Sequence, residues 1–361
     1  MELGAGPAPA TWQHPRIVSV MDAWQRDFPC VPEPFAVLAR HHGYEVEALL
    51  HDLHEAQTHR VLGRIGGVFA PNTVGASTLA AVAVPPEDIA RAAAIVNRHP
   101  EVNHNYEREH AFNLWFVAAA DHAARLREVL DTIGEELGVP VHDFPLEAEY
   151  HIDLGFSLQD GSRAPHRIRP QPRGALSTDQ RRLMTLLGQG LALVEHPYAD
   201  WAHRLGWTEA GVLAQLRHWQ TTGVLRRFGC IVRHHELGYT ANAMCVWQVP
   251  PDARDALGER LAAQPGVNLC YGRPPRGEAW PYNLFCMVHG KDREAVRAQV
   301  TRLAGAAGLA GYPHACLFSR RRFKQTGAMY GWQAAPEAQR APLPVSSSWH
   351  PEPRQPDGAP S

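Results

Sequence analysis

Arg64-Ile65-Gly66-Gly67-Val68-Phe69 and Arg227-Phe228-Gly229-Cys230-Ile231-Val232 are one apolar, glycine-centred segment written twice, 163 positions apart (229 against 66). The match extends outward. Gly75 recurs as Gly238 at the same spacing, and Val84-Pro85 recurs as Val249-Pro250 at a spacing of 165 (250 against 85). Pro100-Glu101-Val102-Asn103 keeps that spacing as Pro265-Gly266-Val267-Asn268, and Phe112-Asn113-Leu114-Trp115-Phe116 returns as Tyr282-Asn283-Leu284-Phe285-Cys286 at 170 (283 against 113). A spacing that grows in steps means loop insertions in the second copy, and a duplicated plan governs how every other segment is read.

Upstream of each glycine segment three stretches have helical periodicity. They run Val18 to Phe28, Glu33 to His41 and Val46 to Gln57 in the first copy, then Thr178 to Leu187, Pro197 to Leu205 and Glu209 to Thr221 in the second. Gly206 closes one helix and Thr208 caps the next, the spacing of a helix-turn-helix. Downstream come two apolar strands, a helix opened by Pro-Pro-Glu-Asp or Pro-Pro-Asp, two strands, a helix and a last strand. The expected fold class is α+β, with two tandem copies of a helix-turn-helix unit followed by a ferredoxin-like (βαββαβ) sandwich. The expected boundaries are a disordered N-terminus at 1–17, a helical unit at 18–62, a sandwich at 63–156 and a Pro/Gly/Arg-rich linker at 157–176. A second unit at 177–224, a second sandwich at 225–332 and a disordered Pro/Ser-rich tail at 333–361 complete the chain.

At 361 residues the chain is long enough for more than one core. Its 35 basic and 37 acidic residues leave a formal charge of −2, so no global positive field holds a nucleic acid or an anionic membrane. Lys291 and Lys324 are the only lysines. Arginine, whose planar fork grips carboxylates in two-pronged fashion, supplies the rest. The six cysteines form no CxxC pair and read as reduced thiols. Met1-Glu2 and the Gly/Pro/Ala stretch after it lack the features of a signal peptide, and the apolar run Ser77 to Val84 is far short of a span. A cytoplasmic protein with no membrane partner is expected.

Helical units ahead of such sandwiches resemble the layout of Lrp/AsnC-type regulators. Charge argues against DNA as the partner. Gly43 to Thr58 carries Glu45, Glu47, Asp52 and Glu55 with no Lys or Arg, and Arg217 is the only Lys or Arg in Glu209 to Thr221. A recognition helix needs cations for phosphates and base edges. No nucleic-acid partner is expected.

The densest polar cluster is His104-Asn105-Tyr106-Glu107-Arg108-Glu109-His110, leading into Asn113 and Trp115. On an extended strand His104, Tyr106 and Arg108 share one face. Together they can donate a proton, orient it and hold an anion. The second copy keeps Tyr271 and Arg273 but has Leu269 and Cys270 in place of His104 and Asn105, and a longer loop through Trp280. It adds Arg233-His234-His235 and a basic run, Arg320-Arg321-Arg322-Phe323-Lys324. That run either pairs with Glu147, Glu149 and Asp153 of the first copy or clamps a polycarboxylate. No protein-bound metal is expected, because the histidines lack zinc-site spacing. His104, His110 and His234 stay open as axial ligands to a heme-type iron.

GRIGGVF (63–69), VNHNYEREHAFNLWF (102–116) and YHIDLGF (150–156), with RRFGCIVRHHELGYTANAMCVW, YNLFCMVHG and FSRRRFKQTG in the second copy, make the chain similar to the siroheme decarboxylases in their fused NirD–NirL form. The resemblance covers nearly residues 20 to 332. It implies loss of the acetate carboxylates at positions 12 and 18 of siroheme, giving 12,18-didecarboxysiroheme for heme d1 or an alternative heme route. It also implies no added cofactor, siroheme being the substrate. On this reading His104 and His110 are the proton donors, with Tyr106 orienting and Arg108 holding a carboxylate. Asn113, Trp115, Arg233, His234, Tyr271, Arg273, Arg322 and Lys324 are the expected substrate contacts. The two halves are expected to form an intrachain pseudo-dimer, with further homodimerisation open. A ligand-responsive DNA-binding regulator and a non-catalytic tetrapyrrole carrier or sensor are the alternatives.

Overall fold

The computed structural model describes residues 14–70, 73–152, 176–233 and 238–328. The first copy runs α1 (Pro15–Ala23), α2 (Pro34–His42), α3 (Val46–Thr58), β1 (Leu62–Phe69), β2 (Ala76–Val82), α4 (Ile89–Arg98), β3 (Val102–Arg108), β4 (Leu114–Ala120), α5 (Ala123–Leu137), β5 (His142–Pro145) and β6 (Ala148–Ile152). The second runs α6 (Thr178–Gln189), α7 (Pro197–Leu205), α8 (Glu209–Thr221), β7 (Leu225–Val232), β8 (Ala241–Trp247), α9 (Arg254–Ala262), β9 (Leu269–Gly272), β10 (Leu284–Gly290), α10 (Arg293–Ala307) and β11 (His314–Gln325). The order of elements is the one read from the sequence, except that the first copy ends in two strands, β5 and β6, where one was expected.

Local chemistry sets the helix ends. Gly43 and Gly206 take left-handed φ values of 66° and 70° after α2 and α7, and Ser177 with Gln180 forms a capping box on α6. The first helix corrects the sequence reading. It starts at Pro15, inside the segment expected to be disordered, and stops at Ala23 instead of Phe28. Proline favours the first helical turn. Beyond the helix, Asp27 adopts a φ of 52°, which no right-handed helix accepts.

The sheets are shared between the copies. β1 and β7 leave their own sandwiches and pair with each other, antiparallel, with Gly66 opposite Gly229. These are the repeat equivalents, so a pseudo-twofold passes between them. The lack of side chains there admits backbone from the opposite helical units. A Cβ on Gly229 would lie 2.4 Å from the Trp24 carbonyl oxygen, and one on Gly66 would lie 2.6 Å from that of Leu187. The Cys230 amide donates to the Trp24 carbonyl and the Leu191 amide to the Ile65 carbonyl, so each helical unit docks on the other copy's strand. One apolar core spans both units and the ribbon.

The remaining nine strands form one antiparallel sheet, β5-β2-β4-β3-β11-β8-β10-β9-β6. Strand exchange at two places makes it continuous. β11 pairs with β8 through His314 to Phe318 and then with β3 through Ser319 to Gln325, while β6 of the first copy pairs with β9 of the second. β5 and β6 lie at opposite edges of this sheet, yet only Leu146 and Glu147 separate them in sequence. Three residues reach about 11 Å at most, so the sheet curls until its edges meet. Phe144 of β5 and Phe285 of β10 accordingly have ring centroids 6.5 Å apart. The curled sheet has an inner face, packed by Leu79, Trp115, Phe144, Met244, Tyr271, Trp280, Phe285 and Leu317, and an outer face covered by α4, α5, α9 and α10.

Candidate active site

Strand alternation brings His104, Tyr106 and Arg108 to the inner face of β3, as the sequence reading expects. His104 Nδ1 lies 3.4 Å from the Tyr106 hydroxyl, and the two rings stack at 6.1 Å with an interplanar angle of 17°. The Arg108 guanidinium sits 5.6 Å from the Tyr106 ring centroid and donates to the Leu317 carbonyl at 3.2 Å. Its Nε is buried and has no partner among the described residues. Tyr106 stands opposite Arg322 of β11, so the second copy contributes a cation directly beside the first copy's phenol.

The electrostatics of this face are one-sided. Burial, then the nearby Arg64 charge, pushes the His104 imidazole down to about 4, so it is neutral at neutral pH. Burial raises Tyr106, opposed by the guanidiniums of Arg108, Arg322 and Arg233. Burial and Arg233 together lower Arg64 to about 10. Among the described residues, none of the groups that perturb His104, Tyr106, Arg64 or Arg108 is a carboxylate. Cations drawn from four separate segments thus converge on one phenol and one neutral imidazole. Such a face suits an anion with several carboxylates.

Other expected site residues fall elsewhere. His110 lies past the end of β3, two residues beyond Arg108, where its Nδ1 accepts from the Phe112 amide at 3.0 Å and its ring meets Trp280 edge-on at 5.0 Å. Four strand steps carry the chain from His104 to Arg108, about 13 Å, so the two histidines mark opposite ends of the row. Asn113 is a structural cross-link. Its amide donates to the Val84 carbonyl at 2.7 Å and accepts from the Val84 amide at 3.1 Å, and Asn283 holds Val249 in the same way at 2.9 and 3.0 Å. Trp115 is buried on the inner face with its indole N–H on the Phe112 carbonyl at 2.6 Å. Lys324 points outward, its ammonium 3.0 and 3.1 Å from the carbonyls of Asn97 and His99 at the end of α4. It caps a helix, and the bulge in β11 between Arg322 and Lys324 turns it from the inner face. His234 lies outside the described residues.

Tyr271 and Arg273 form the second copy's version of the row. The Arg273 guanidinium lies 4.7 Å from the Tyr271 ring and donates to the Phe144 carbonyl, mirroring the bond from Arg108 to Leu317. Of the two readings of the basic run, pairing with the first copy's acidic tail is not seen among the described residues. Glu147 bonds Arg254 at 2.5 Å and Glu149 bonds Arg226, whereas Arg321 meets Glu107 at 2.5 Å and Arg320 meets Glu109 at 3.4 Å. Asp153 lies outside the described residues.

Sequence reasoning missed two residues. Arg64 was visible only as part of the repeat, yet its charge reaches His104. Its equivalent Arg227 is held by carbonyls of Gln25 and Cys230, both at 2.6 Å, while Arg64 Nε is buried without a partner among the described residues. His289, at the end of β10, is pushed down to about 4 by burial and by Arg108, and its Nδ1 lies 3.0 Å from the Asn268 amide oxygen. Ala119 takes the place of His289 in the first copy, so Asn103, the equivalent of Asn268, has its amide oxygen buried with no partner among the described residues. The signal was a histidine in one copy facing alanine in the other.

Among the described residues there is no group of His, Cys, Asp and Glu that could hold a metal ion, and no helix long and apolar enough to cross a membrane. Comparison with known proteins gives a consistent picture. Residues 74–151 and 236–324 match the AsnC-like ligand binding domain, and residues 180–226 match the siroheme decarboxylase NirDL-like HTH domain. The chain is 40% identical over 316 residues to the siroheme decarboxylase NirDL subunit of Paracoccus denitrificans (strain Pd 1222), covering 88% of this chain and 97% of that one. It is 33% identical over 311 residues to a siroheme decarboxylase of Hydrogenobacter thermophilus (strain DSM 6534 / IAM 12695 / TK-6), covering 85% and 92%. A crystal structure of the siroheme decarboxylase NirDL in complex with an iron-uroporphyrin III analogue superposes with a TM-score of 0.64 at 30% identity, covering 88% and 94%.

Proposed function

The chain belongs to the siroheme decarboxylase NirDL family, and from that premise we propose that it is a carboxy-lyase whose working site is the inner face of β3, completed by Arg322 and Arg233. Its substrate is siroheme, and the acetate arms at positions 12 and 18 are the ones shortened, within heme d1 or alternative heme synthesis. The enzyme works in the cytoplasm and binds the tetrapyrrole, iron included, as substrate.

The observation that supports this reading is the convergence of guanidiniums from four segments on a neutral His104, with no carboxylate among the described residues that perturb it. Each acetate arm loses carbon dioxide when the carbon–carboxyl bond breaks and its electron pair stays on the CH2 carbon. One proton then converts that carbon to methyl, so the step consumes a proton and no electrons. Arg108, Arg322 and Arg233 hold the flanking carboxylates. Carboxylates brought beside His104 raise its proton affinity. The imidazole therefore charges as substrate binds and hands its proton to the carbon, with the Tyr106 hydroxyl fixing the ring. His110, at the far end of the row, is placed to serve a second arm. The second copy has Leu269 in place of His104, so one pocket per chain works.

Anaerobic incubation of the purified protein with siroheme, followed by mass analysis of the extracted pigment, tests the proposal. Loss of two carbon dioxide units is expected. An unchanged mass with a shifted iron-tetrapyrrole absorbance would make the protein a carrier.

A further inference from the structure

Four of the six cysteines form a row across adjacent strands. Cys316 of β11 stands opposite Cys245 of β8, Cys245 opposite Cys286 of β10, and Cys286 opposite Cys270 of β9. The row lies on the outer face, beneath α9 and α10, away from the inner face that carries His104. At the repeat spacings the first copy has Ala80, Phe116 and Asn105 for Cys245, Cys286 and Cys270.

Register sets two pairs apart, Cys245 with Cys316 and, by the same rule from the Arg273 amide on the Asn283 carbonyl at 3.1 Å, Cys270 with Cys286, and only the first has a sulfur that is not fully buried. The Gln248 amide donates to the Pro313 carbonyl at 2.9 Å, so that opposed pair is a hydrogen-bonded one. Alternation along an antiparallel ladder then makes Cys245 and Cys316, three positions on, a non-hydrogen-bonded pair. Such pairs have Cα atoms about 4.5 Å apart, within the range of about 4.4–6.8 Å that a disulfide spans. Facing each other across the ladder, the two thiols perturb one another, which lowers Cys316 and raises Cys245. Cys316 is half-buried, whereas Cys245, Cys286 and Cys270 are buried. The sulfur that solvent reaches is therefore the one that ionises more easily, and its neighbour is placed to resolve it.

We propose that Cys316 and Cys245 are a dithiol oxidation site that closes to a disulfide with hydroperoxides. The Cys316 thiolate attacks the peroxide O–O bond, forming a sulfenic acid and releasing one oxygen as water or alcohol. The Cys245 sulfur then attacks the sulfenic sulfur and displaces the second oxygen as water. Two thiols lose two hydrogens and two electrons, and the peroxide takes up both. The cross-linked strand is β11, which carries Arg322 to the inner face, and the chemistry does not depend on the decarboxylase reading.

The test is exposure of the reduced full-length protein to hydrogen peroxide, alkylation, proteolysis and peptide mass analysis. The expected product joins the Cys316 and Cys245 peptides with two hydrogens lost. It is absent from C316A and from C245A and persists in C286A, while C245A instead accumulates a sulfenic acid at Cys316 that a cyclic diketone traps. Oxidation of Cys316 to sulfinic acid with Cys245 still alkylatable, a cross-link to Cys286 instead, or an unreactive Cys316 would each overturn the proposal.

Discussion

Replacing His104 by Leu, the residue its repeat equivalent Leu269 supplies, and His289 by Ala, as at the equivalent Ala119, should flatten the pH dependence of stability. Burial holds both imidazoles down at about 4, against an ordinary value of 6.5. Between those values the unfolded chain binds protons that the folded chain refuses, so stability is lost as pH falls through 6.5 toward 4 and recovered above it. Working the linkage from pH 7.5 to pH 5 gives about 2 kcal/mol per histidine, about 4 for the pair. The assay is guanidinium unfolding of the substrate-free protein at both pH values, parent against H104L/H289A. The parent should lose about 4 kcal/mol more than the double variant over that interval. Equal losses would refute the claim that these imidazoles are held neutral in the fold.

Three further outcomes follow from the same geometry. N113A and N283A each remove the side-chain partner of both backbone groups of Val84 or Val249, so each should cost about 1–3 kcal/mol in unfolding free energy. Gly229→Ala forces a methyl against the Trp24 carbonyl and should lower Tm, whereas Gly305→Ala, in the interior of α10 with open space around it, should raise stability by about 1 kcal/mol. R322A should weaken siroheme binding at least tenfold by absorbance titration, about 1.4 kcal/mol. K324A should leave that affinity unchanged while lowering Tm, since Lys324 caps α4 on the outer face.

Much of this was legible in the sequence because the repeat made each copy a check on the other. The six helices of the two units and the shared face of His104, Tyr106 and Arg108 come from local periodicity, which a single chain displays. What was hidden is pairing at long range. Nothing local to Gly66 says that its partner is Gly229, or that β11 changes neighbour at Ser319, because register is set by where the pseudo-twofold falls. The site errors share that cause. Lys324 was grouped with Arg322 by proximity in sequence, but the bulge between them puts the two on opposite faces. Asn113 looked like a ligand because it is polar and sits in the motif, yet the turn spends its whole amide on Val84. Arg64 and His289 were visible only as differences from Arg227 and Ala119.

The central claim is that His104 delivers the proton that replaces carbon dioxide. A single-turnover incubation of H104L with siroheme under anaerobic conditions, read by pigment mass and by iron-tetrapyrrole absorbance together, addresses it most directly. The account predicts bound siroheme that has lost at most one carbon dioxide, from the arm that His110 serves, where the parent yields the doubly decarboxylated product. Doubly decarboxylated product from H104L at the parent's rate would contradict it.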